Sequence, residues 1–272
     1  MATSIDTGTD ELLARTEGRV AVLTLHRPEA RNALSDRLTP ALRAMISRLA
    51  DDAAVGCVVI TGSGSAFCAG GDIKGMGAGS SARPRTRAEA VDDLRIRQET
   101  LTGAIYELPQ PTIAALPGPA AGAGLSIALS CDLRIAAESA FITTAFKNIG
   151  LSGDYGASYF LTQLVGSAKA RELFFTSPRV SAAECERLGI VNRVVPDADL
   201  MTETLAWATE IAAGPPRVYA AMKQNLDRAQ RSDLRTCLAG EAENLVATAS
   251  TADHREAVRA FIEKRRPEFT GE

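Results

Sequence analysis

Two short apolar segments, each followed by a glycine-rich stretch, constrain the fold of this chain most strongly. They are residues 57–61 (CVVIT) and residues 112–116 (TIAAL). Strands that are apolar along both faces are typical of a parallel sheet that is covered on both sides. A predicted helix precedes the first segment, with Leu38, Leu42, Ile46 and Leu49 on one face. A second predicted helix, residues 88–108, separates the two segments, and its inward residues are Val91, Leu94, Leu101, Ile105 and Leu108. The alternation predicts an α/β fold.

The pattern changes near residue 196. Before it, further strands are predicted at residues 19–25, 133–136, 140–143 and 190–195, and a small-residue helix at 122–130. After it, helices are predicted at residues 200–213, 218–229, 234–249 and 253–264, with no strand between them. We therefore predict an α/β core over residues 1–196 and a helical region over residues 197–272.

Charge and composition exclude several classes of partner. The 272 residues carry 30 basic and 33 acidic side chains, a net charge of −3, which offers no basic surface for nucleic acid or an anionic membrane. The longest stretch without charged residues, 108–131, contains four prolines, unlike a membrane helix. Residues 1–15 are polar and acidic, with no secretory signal. The expected location is the cytoplasm.

Metal chemistry is also disfavoured. The chain has two histidines, His26 and His254, and five scattered cysteines that form no CxxC pair. This spacing predicts no metal site and reduced thiols. The chemistry of the protein must then rest on carboxylates, hydroxyls or backbone groups.

The two glycine clusters, at residues 62–79 and 118–124, each follow a strand and precede a helical segment. Such loops let backbone N–H groups approach a ligand, and two of them could form an oxyanion hole. Simple tight turns are the alternative. No dinucleotide fingerprint or phosphate-binding P-loop is present. Residues 124–128 (GLSIA) fall one residue short of a nucleophile elbow, so a serine hydrolase with Ser126 and His254 is a further alternative.

Four segments, in order, resemble the enoyl-CoA hydratase/isomerase (crotonase) superfamily. They are residues 26–34 (HRPEARNAL), 66–74 (AFCAGGDIK), 117–132 (PGPAAGAGLSIALSCD) and 260–265 (AFIEKR). The resemblance covers nearly the whole chain. It implies a crotonase-like spiral of ββα units followed by a helical C-terminal trimerisation region, in a homotrimer or a dimer of trimers. It also implies an acyl-CoA substrate, with coenzyme A as part of the substrate and no other cofactor.

The resemblance also assigns site residues. The oxyanion donors would be the backbone N–H groups of Gly71 and Ala123. The residues expected to bind substrate or CoA, the last two supplied by a neighbouring subunit, are Arg27, Ala30, Arg31, Ala69, Gly70, Asp72, Ile73, Lys74, Phe146, Phe261 and Lys264.

The resemblance fails at the two glutamates with which typical hydratases activate water. Ser126 and Phe146 stand at those positions. The nearest replacement is Asp154, where several branches of the superfamily, including ring-modifying isomerases, resemble this chain in carrying an aspartate. We therefore expect Asp154 to be the single acid/base, in double-bond isomerisation or hydration of an enoyl-CoA. A loop aspartate in a turn, another enolate chemistry, and a CoA-thioester-binding member without catalysis remain alternatives.

Overall fold

A computed structural model describes residues 2–72 and 86–272. The strands in these ranges are β1 (Ala2–Ile5), β2 (Leu12–Glu17), β3 (Val20–Leu25), β4 (Cys57–Gly62), β5 (Thr112–Leu116), β6 (Ala120–Ala121), β7 (Leu133–Ala137), β8 (Phe141–Thr143), β9 (Val180–Ser181) and β10 (Arg193–Val195). Seven of these described strands form a sheet in the order β1-β2-β3-β4-β5-β7-β10, and three form a smaller sheet in the order β6-β8-β9. Neighbours from β3 to β10 in the larger sheet are parallel, as an α/β fold requires.

Helices connect and cover the strands. In the described ranges they are α1 (Leu38–Ala50), α2 (Arg87–Gln98), α3 (Ala104–Glu107), α4 (Ala123–Ser130), α5 (Ala157–Thr176), α6 (Ala182–Arg187), α7 (Leu200–Ala212), α8 (Pro216–Ala229), α9 (Leu234–Ala249) and α10 (Ala252–Glu263). The predicted inward stripe of α1 is confirmed, because Leu38, Leu42, Ile46 and Leu49 are all buried.

The predicted apolar strands lie at the centre of the core. Every residue of β4 and of β5 is buried. The chain leaves β5, forms the two-residue strand β6 and enters α4, whose eight residues are also all buried. The second glycine-rich loop therefore delivers the start of a helix into the interior, close to where the first loop leaves β4.

The predicted helix at residues 88–108 is present but interrupted. A wide π-turn, Glu99–Gly103, separates α2 from α3. Leu101, Ile105 and Leu108 are buried as predicted, whereas the prediction for Val91 and Leu94 was wrong, since they are 56% and 40% exposed. A π-turn adds a residue to one helical turn and rotates everything before it, so a stripe drawn at constant 3.6-residue spacing leaves the inward face there.

The helices that follow β10 attach to the core by packing and by polar contacts. Helix α7 packs on the parallel strands, α9 packs on α8, and α10 packs on α9. On α8, Lys223 Nζ lies 2.8 Å from the Asp132 carboxylate, and Asp227 accepts a 2.6 Å hydrogen bond from the hydroxyl of Tyr106. Five apolar side chains on α9 and α10 are at least 70% exposed: Leu234, Leu245, Val246, Phe261 and Ile262.

Candidate functional site

The first glycine-rich loop is held against the segment that follows β3. Ala69 N donates to Arg31 O, Leu34 N to Gly70 O, and Asp72 N to Leu34 O, at 2.8 to 3.2 Å. Leu34 and Gly71 thereby form an isolated parallel bridge. The loop is part of a short ladder and therefore has a fixed orientation.

The second loop extends that ladder on the other side. Cys68 N donates to Pro119 O at 3.2 Å, and Ala121 N returns a 3.0 Å bond to Cys68 O. Two glycines make the close approach possible. A Cβ on Gly70, whose φ is +93°, would lie 2.8 Å from Ala121 O, and one on Gly124 would lie 2.3 Å from Cys68 O. Only glycine fits at these two positions.

This packing brings the Ala123 N–H group close to Gly70. Ala123 is the first residue of α4, following Gly122 at φ +52°, and its N atom is 3.4 Å from the Cβ that a side chain on Gly70 would have. Within the described residues, neither Gly71 N nor Ala123 N donates a hydrogen bond. The start of a helix adds a partial positive charge there. The second loop thus brings the Ala123 N–H group against Gly70, the residue before Gly71.

Asp154 lies in a strained turn beside α4. Gly153, Tyr155 and Gly156 all have positive φ, at +108°, +51° and +78°. Positive φ is uncommon for tyrosine and costs energy. The backbone oxygen of Asp154 accepts hydrogen bonds from Ser126 Oγ at 3.0 Å and from Ala157 N at 3.2 Å. The turn is therefore tied to the helix that carries Ala123.

The carboxyl group of Asp154 has an unusual environment. Its Oδ1 is buried and has no hydrogen-bond partner within the described part of the chain. Burial raises the pKa of this carboxyl above its ordinary value of 3.8. A carboxylate with a raised pKa and an unused oxygen atom is suited to accept and return a proton.

The raised pKa has a consequence for stability. As the pH rises from about 4 through the raised value, the unfolded chain ionises more readily than the folded one, so wild type loses stability relative to a variant without the carboxyl. We expect Asp154→Asn to be more stable than wild type at neutral pH, by a margin that shrinks towards pH 4. Urea unfolding of both proteins across this range measures the difference, and a margin independent of pH would contradict the assignment of the pKa shift.

Phe146 forms an apolar wall next to both groups. It is 6% exposed, and its ring stacks on that of Phe174 with centroids 6.1 Å apart and planes at 13°. Its ring atoms lie 3.7 Å and 3.5 Å from idealised Cβ positions on Gly122 and Gly153, the residues that precede Ala123 and Asp154. The side chain of Phe146 has no polar group with which to hold a water molecule at this position.

Ser126 does not fit the role of a nucleophile, and the serine hydrolase alternative is wrong. Its side chain is fully buried, and its hydroxyl faces the backbone oxygens of Asp154 and Gly122 at 3.0 and 3.3 Å. His254 lies on α10 as an exposed residue whose backbone N–H is bonded to the capping Thr251. Ser126 therefore has neither substrate access nor an imidazole partner.

The role of Asn32 is evident only from the structure. Asn32 is fully buried at φ +57°. Its amide donates to Ser63 O at 2.9 Å and Ala66 O at 2.8 Å, and its Oδ1 accepts from Arg27 N at 2.9 Å. It thereby fixes the start of the first glycine-rich loop to the segment that follows β3. The only signal in the sequence is the tolerance of asparagine for left-handed backbone, which does not reveal partners 31 and 34 residues away.

Several of the residues predicted to bind CoA lie around the same ladder. Arg27 is held by Asp72 at 3.2 Å and by Ala33 O at 2.7 Å. Arg31 and Ala69 are exposed and line a cavity of about 310 Å³ together with Arg179. Ala30 lies one residue before Arg31 and is half-buried.

Other predicted residues are outside this cluster. Ile73 and Lys74 lie outside the described residues. Phe261, 85% exposed, lies near the end of α10, and Lys264 follows that helix directly. Helix α10 packs on α9.

Two kinds of feature are absent from the described ranges. No group of three or more histidine, cysteine, aspartate or glutamate side chains there could hold a metal ion. No helix in those ranges combines the length and apolar character needed to cross a membrane.

Comparison with known proteins agrees with this geometry. The family model described as enoyl-CoA hydratase/isomerase matches residues 15–272. A probable enoyl-CoA hydratase of Rhodobacter capsulatus is 40% identical over 93% of this chain and 95% of its own. The 1,2-epoxyphenylacetyl-CoA isomerase of Escherichia coli is 32% identical over 96% and 98%. The crystal structure of an enoyl-CoA hydratase from Bacillus anthracis superposes with a TM-score of 0.90 at 30% identity, covering 97% and 100%.

The match extends over both glycine-rich loops, the Asp154 turn and the C-terminal helices, and the solved relative has the same fold over almost its whole length. The chain therefore adopts the crotonase fold and is an enzyme of the enoyl-CoA hydratase/isomerase family.

Proposed function

We propose that this enzyme shifts the double bond of an enoyl-CoA through a thioester enolate, with Asp154 as its only acid/base. Two observations together carry the proposal. One is the buried Asp154 carboxyl oxygen, which has no hydrogen-bond partner in residues 2–72 and 86–272. The other is the presence of serine and phenylalanine at the two positions where hydratases carry glutamate. A single proton carrier suits a reaction that removes and returns one proton. Addition of water needs a second group to hold and activate the water molecule.

The enolate is stabilised by backbone donors. Removal of a proton from C2 of a 3-enoyl thioester moves negative charge onto the thioester oxygen. The N–H groups of Gly71 and Ala123 would donate to that oxygen, and each such donor is worth about 3 kcal/mol in a transition state. The proximity of Gly70 to Ala123 N supports this pairing.

Proton transfer then completes the shift. Asp154 takes the proton from C2, the double bond moves from C3–C4 to C2–C3, and the same proton is delivered to C4. Atoms and charge balance without water. Phe146 supports this assignment because its buried ring occupies the wall between Gly122 and Gly153, where a water-holding carboxylate would otherwise stand.

Coenzyme A would bind along the first loop. We assign its nucleotide end to Arg27, Ala30 and Arg31, and its extended part to the segment from Ala69 to Asp72. Phe261 and Lys264 would come from a neighbouring subunit of a trimer or a dimer of trimers. The exposure of the apolar side chains on α9 and α10 supports such an assembly.

A product analysis of the wild-type enzyme tests the reaction type. The enzyme is incubated with 2-enoyl-CoA and 3-enoyl-CoA thioesters of several chain lengths and with one aryl-substituted thioester. The products are separated by chromatography, and their masses are determined by mass spectrometry. We expect 3-enoyl-CoA to be converted to 2-enoyl-CoA without a change in mass. Addition of one water as the main reaction would overturn isomerisation. Calorimetric binding of the thioesters with no turnover would instead establish the non-catalytic alternative.

A further inference from the structure

We infer that Ser126 and Gln98 are positioning residues that hold the strained Asp154 turn, and thereby aim its carboxyl at the substrate. This inference rests on the proposed role of Asp154. The structural basis is a pair of hydrogen bonds that reach consecutive backbone groups of the turn from two different helices.

Ser126 approaches from the helix that carries the Ala123 donor. It lies three residues after Ala123 on α4, about one helical turn further on. Its hydroxyl is 3.0 Å from the backbone oxygen of Asp154, closer than its 3.3 Å contact with Gly122 O. Because a hydroxyl has one proton, the shorter contact is the better donor geometry. One buried side chain therefore sets the spacing between the oxyanion donor and the acid/base.

Gln98 contacts the Asp154 turn from a different helix, α2. It is the last residue of α2, immediately before the π-turn, and its Oε1 accepts a 2.6 Å hydrogen bond from the backbone N–H of Tyr155. The hydroxyl of Thr102, within the π-turn, in turn donates to Gln98 O at 3.2 Å. π-Turns inside helices are frequent at functional sites. In this protein the π-turn begins at Glu99, directly after Gln98.

The conformation of the turn explains why two anchors are needed. Tyr155 has φ +51° and stands between Gly153 and Gly156, both also at positive φ. Strained backbone of this kind persists only where the surroundings over-determine it. Among the residues that the structure describes, Oδ1 of Asp154 has no hydrogen-bond partner, so the aim of the carboxyl depends on the backbone that carries it. Two anchors on that backbone take the place of a hydrogen bond to the side chain.

The test for Ser126 compares two buried hydroxyls on the same helix. Ser130 is 1% exposed, and its hydroxyl donates within α4 to Ile127 O at 2.9 Å, so Ser130→Ala removes a similar group without touching the turn. We expect Ser126→Ala to lower kcat by about 10- to 100-fold with KM changed by less than about twofold, since misplacing a reacting group by ~1 Å costs about this much. Ser130→Ala should retain wild-type kcat.

The test for Gln98 keeps or removes the acceptor oxygen. Gln98→Leu preserves size and loses the acceptor, whereas Gln98→Glu preserves an acceptor at the same reach. Each kcat is measured on the plateau of that variant's pH profile, so that the added charge of glutamate does not enter the comparison. We expect kcat to fall by about 10-fold or more in Gln98→Leu, and most of it to return in Gln98→Glu.

The outcomes separate this inference from the proposed function. If Asp154→Asn is inactive while Ser126→Ala matches Ser130→Ala and Gln98→Leu matches Gln98→Glu, the anchors do not position Asp154 and the inference is overturned, although the function stands. If Asp154→Asn is fully active, the proposed function itself fails. Should Ser126→Ala not fold, the Gln98 pair carries the test from an independent helix.

Discussion

Replacing Asp154 with asparagine is expected to lower kcat for 3-enoyl-CoA isomerisation by about 100- to 10,000-fold, the usual contribution of a positioned acid/base. Asparagine has the same shape but cannot accept and return the proton. The two positions at which hydratases are expected to carry glutamate are Ser126 and Phe146 in this chain, so neither supplies a carboxylate. The measurement is single-turnover conversion of 3-enoyl-CoA, which separates chemistry from product release.

The matched control for Asp154 is its neighbour. Tyr155→Phe keeps the buried ring in the same turn and removes only the hydroxyl, so we expect kcat within about threefold of wild type. Binding of a saturated acyl-CoA should be unchanged in both variants, because neither alters the first glycine-rich loop. Undiminished turnover by Asp154→Asn would remove the carboxylate from the mechanism.

Replacing Ala123 with proline is expected to lower kcat/KM by about 100- to 1,000-fold, the usual cost of losing one oxyanion donor. Ala123 is the first residue of α4, a position at which proline is well tolerated because its N–H has no partner within the helix. The substitution therefore deletes the proposed donor and places a ring carbon where the substrate oxygen would lie. Circular dichroism should remain that of the wild-type fold.

Glycine at the same position gives the control for this donor. Ala123→Gly keeps the N–H group and changes only a methyl group at the helix start, so we expect kcat/KM within about tenfold of wild type. A proline variant as active as the glycine variant would show that Ala123 N donates nothing to the transition state.

Strong local signals in the sequence predict the centre of this fold. The apolar runs of β4 and β5 and the stripe of α1 are each determined by residues next to one another in the chain, and each is confirmed. The helix α5 was not predicted. Gly166 interrupts it with φ +74° and ψ +163°. The apolar residues before and after Gly166 therefore do not follow one continuous helical periodicity over the 20 residues.

The site shows the same division between local and distant information. The glycine loops could be predicted as sources of N–H donors because glycine itself is the signal. The anchoring of Asp154 could not, because Ser126 is 28 residues away and Gln98 is 56 residues away, and neither residue type announces a partner. The burial of Phe146 against Phe174 likewise depends on the packing of α5, which was missed.

Helix α4 has no side that faces water, because all eight of its residues are buried. The segment that carries the proposed donor, Ala123, is thus also part of the hydrophobic core. A substitution in this helix that alters turnover therefore also alters the packing of the core. Of the two positions at which hydratase glutamates are expected, Ser126 lies on this buried helix itself, and Phe146 lies in the segment between β8 and the Asp154 turn.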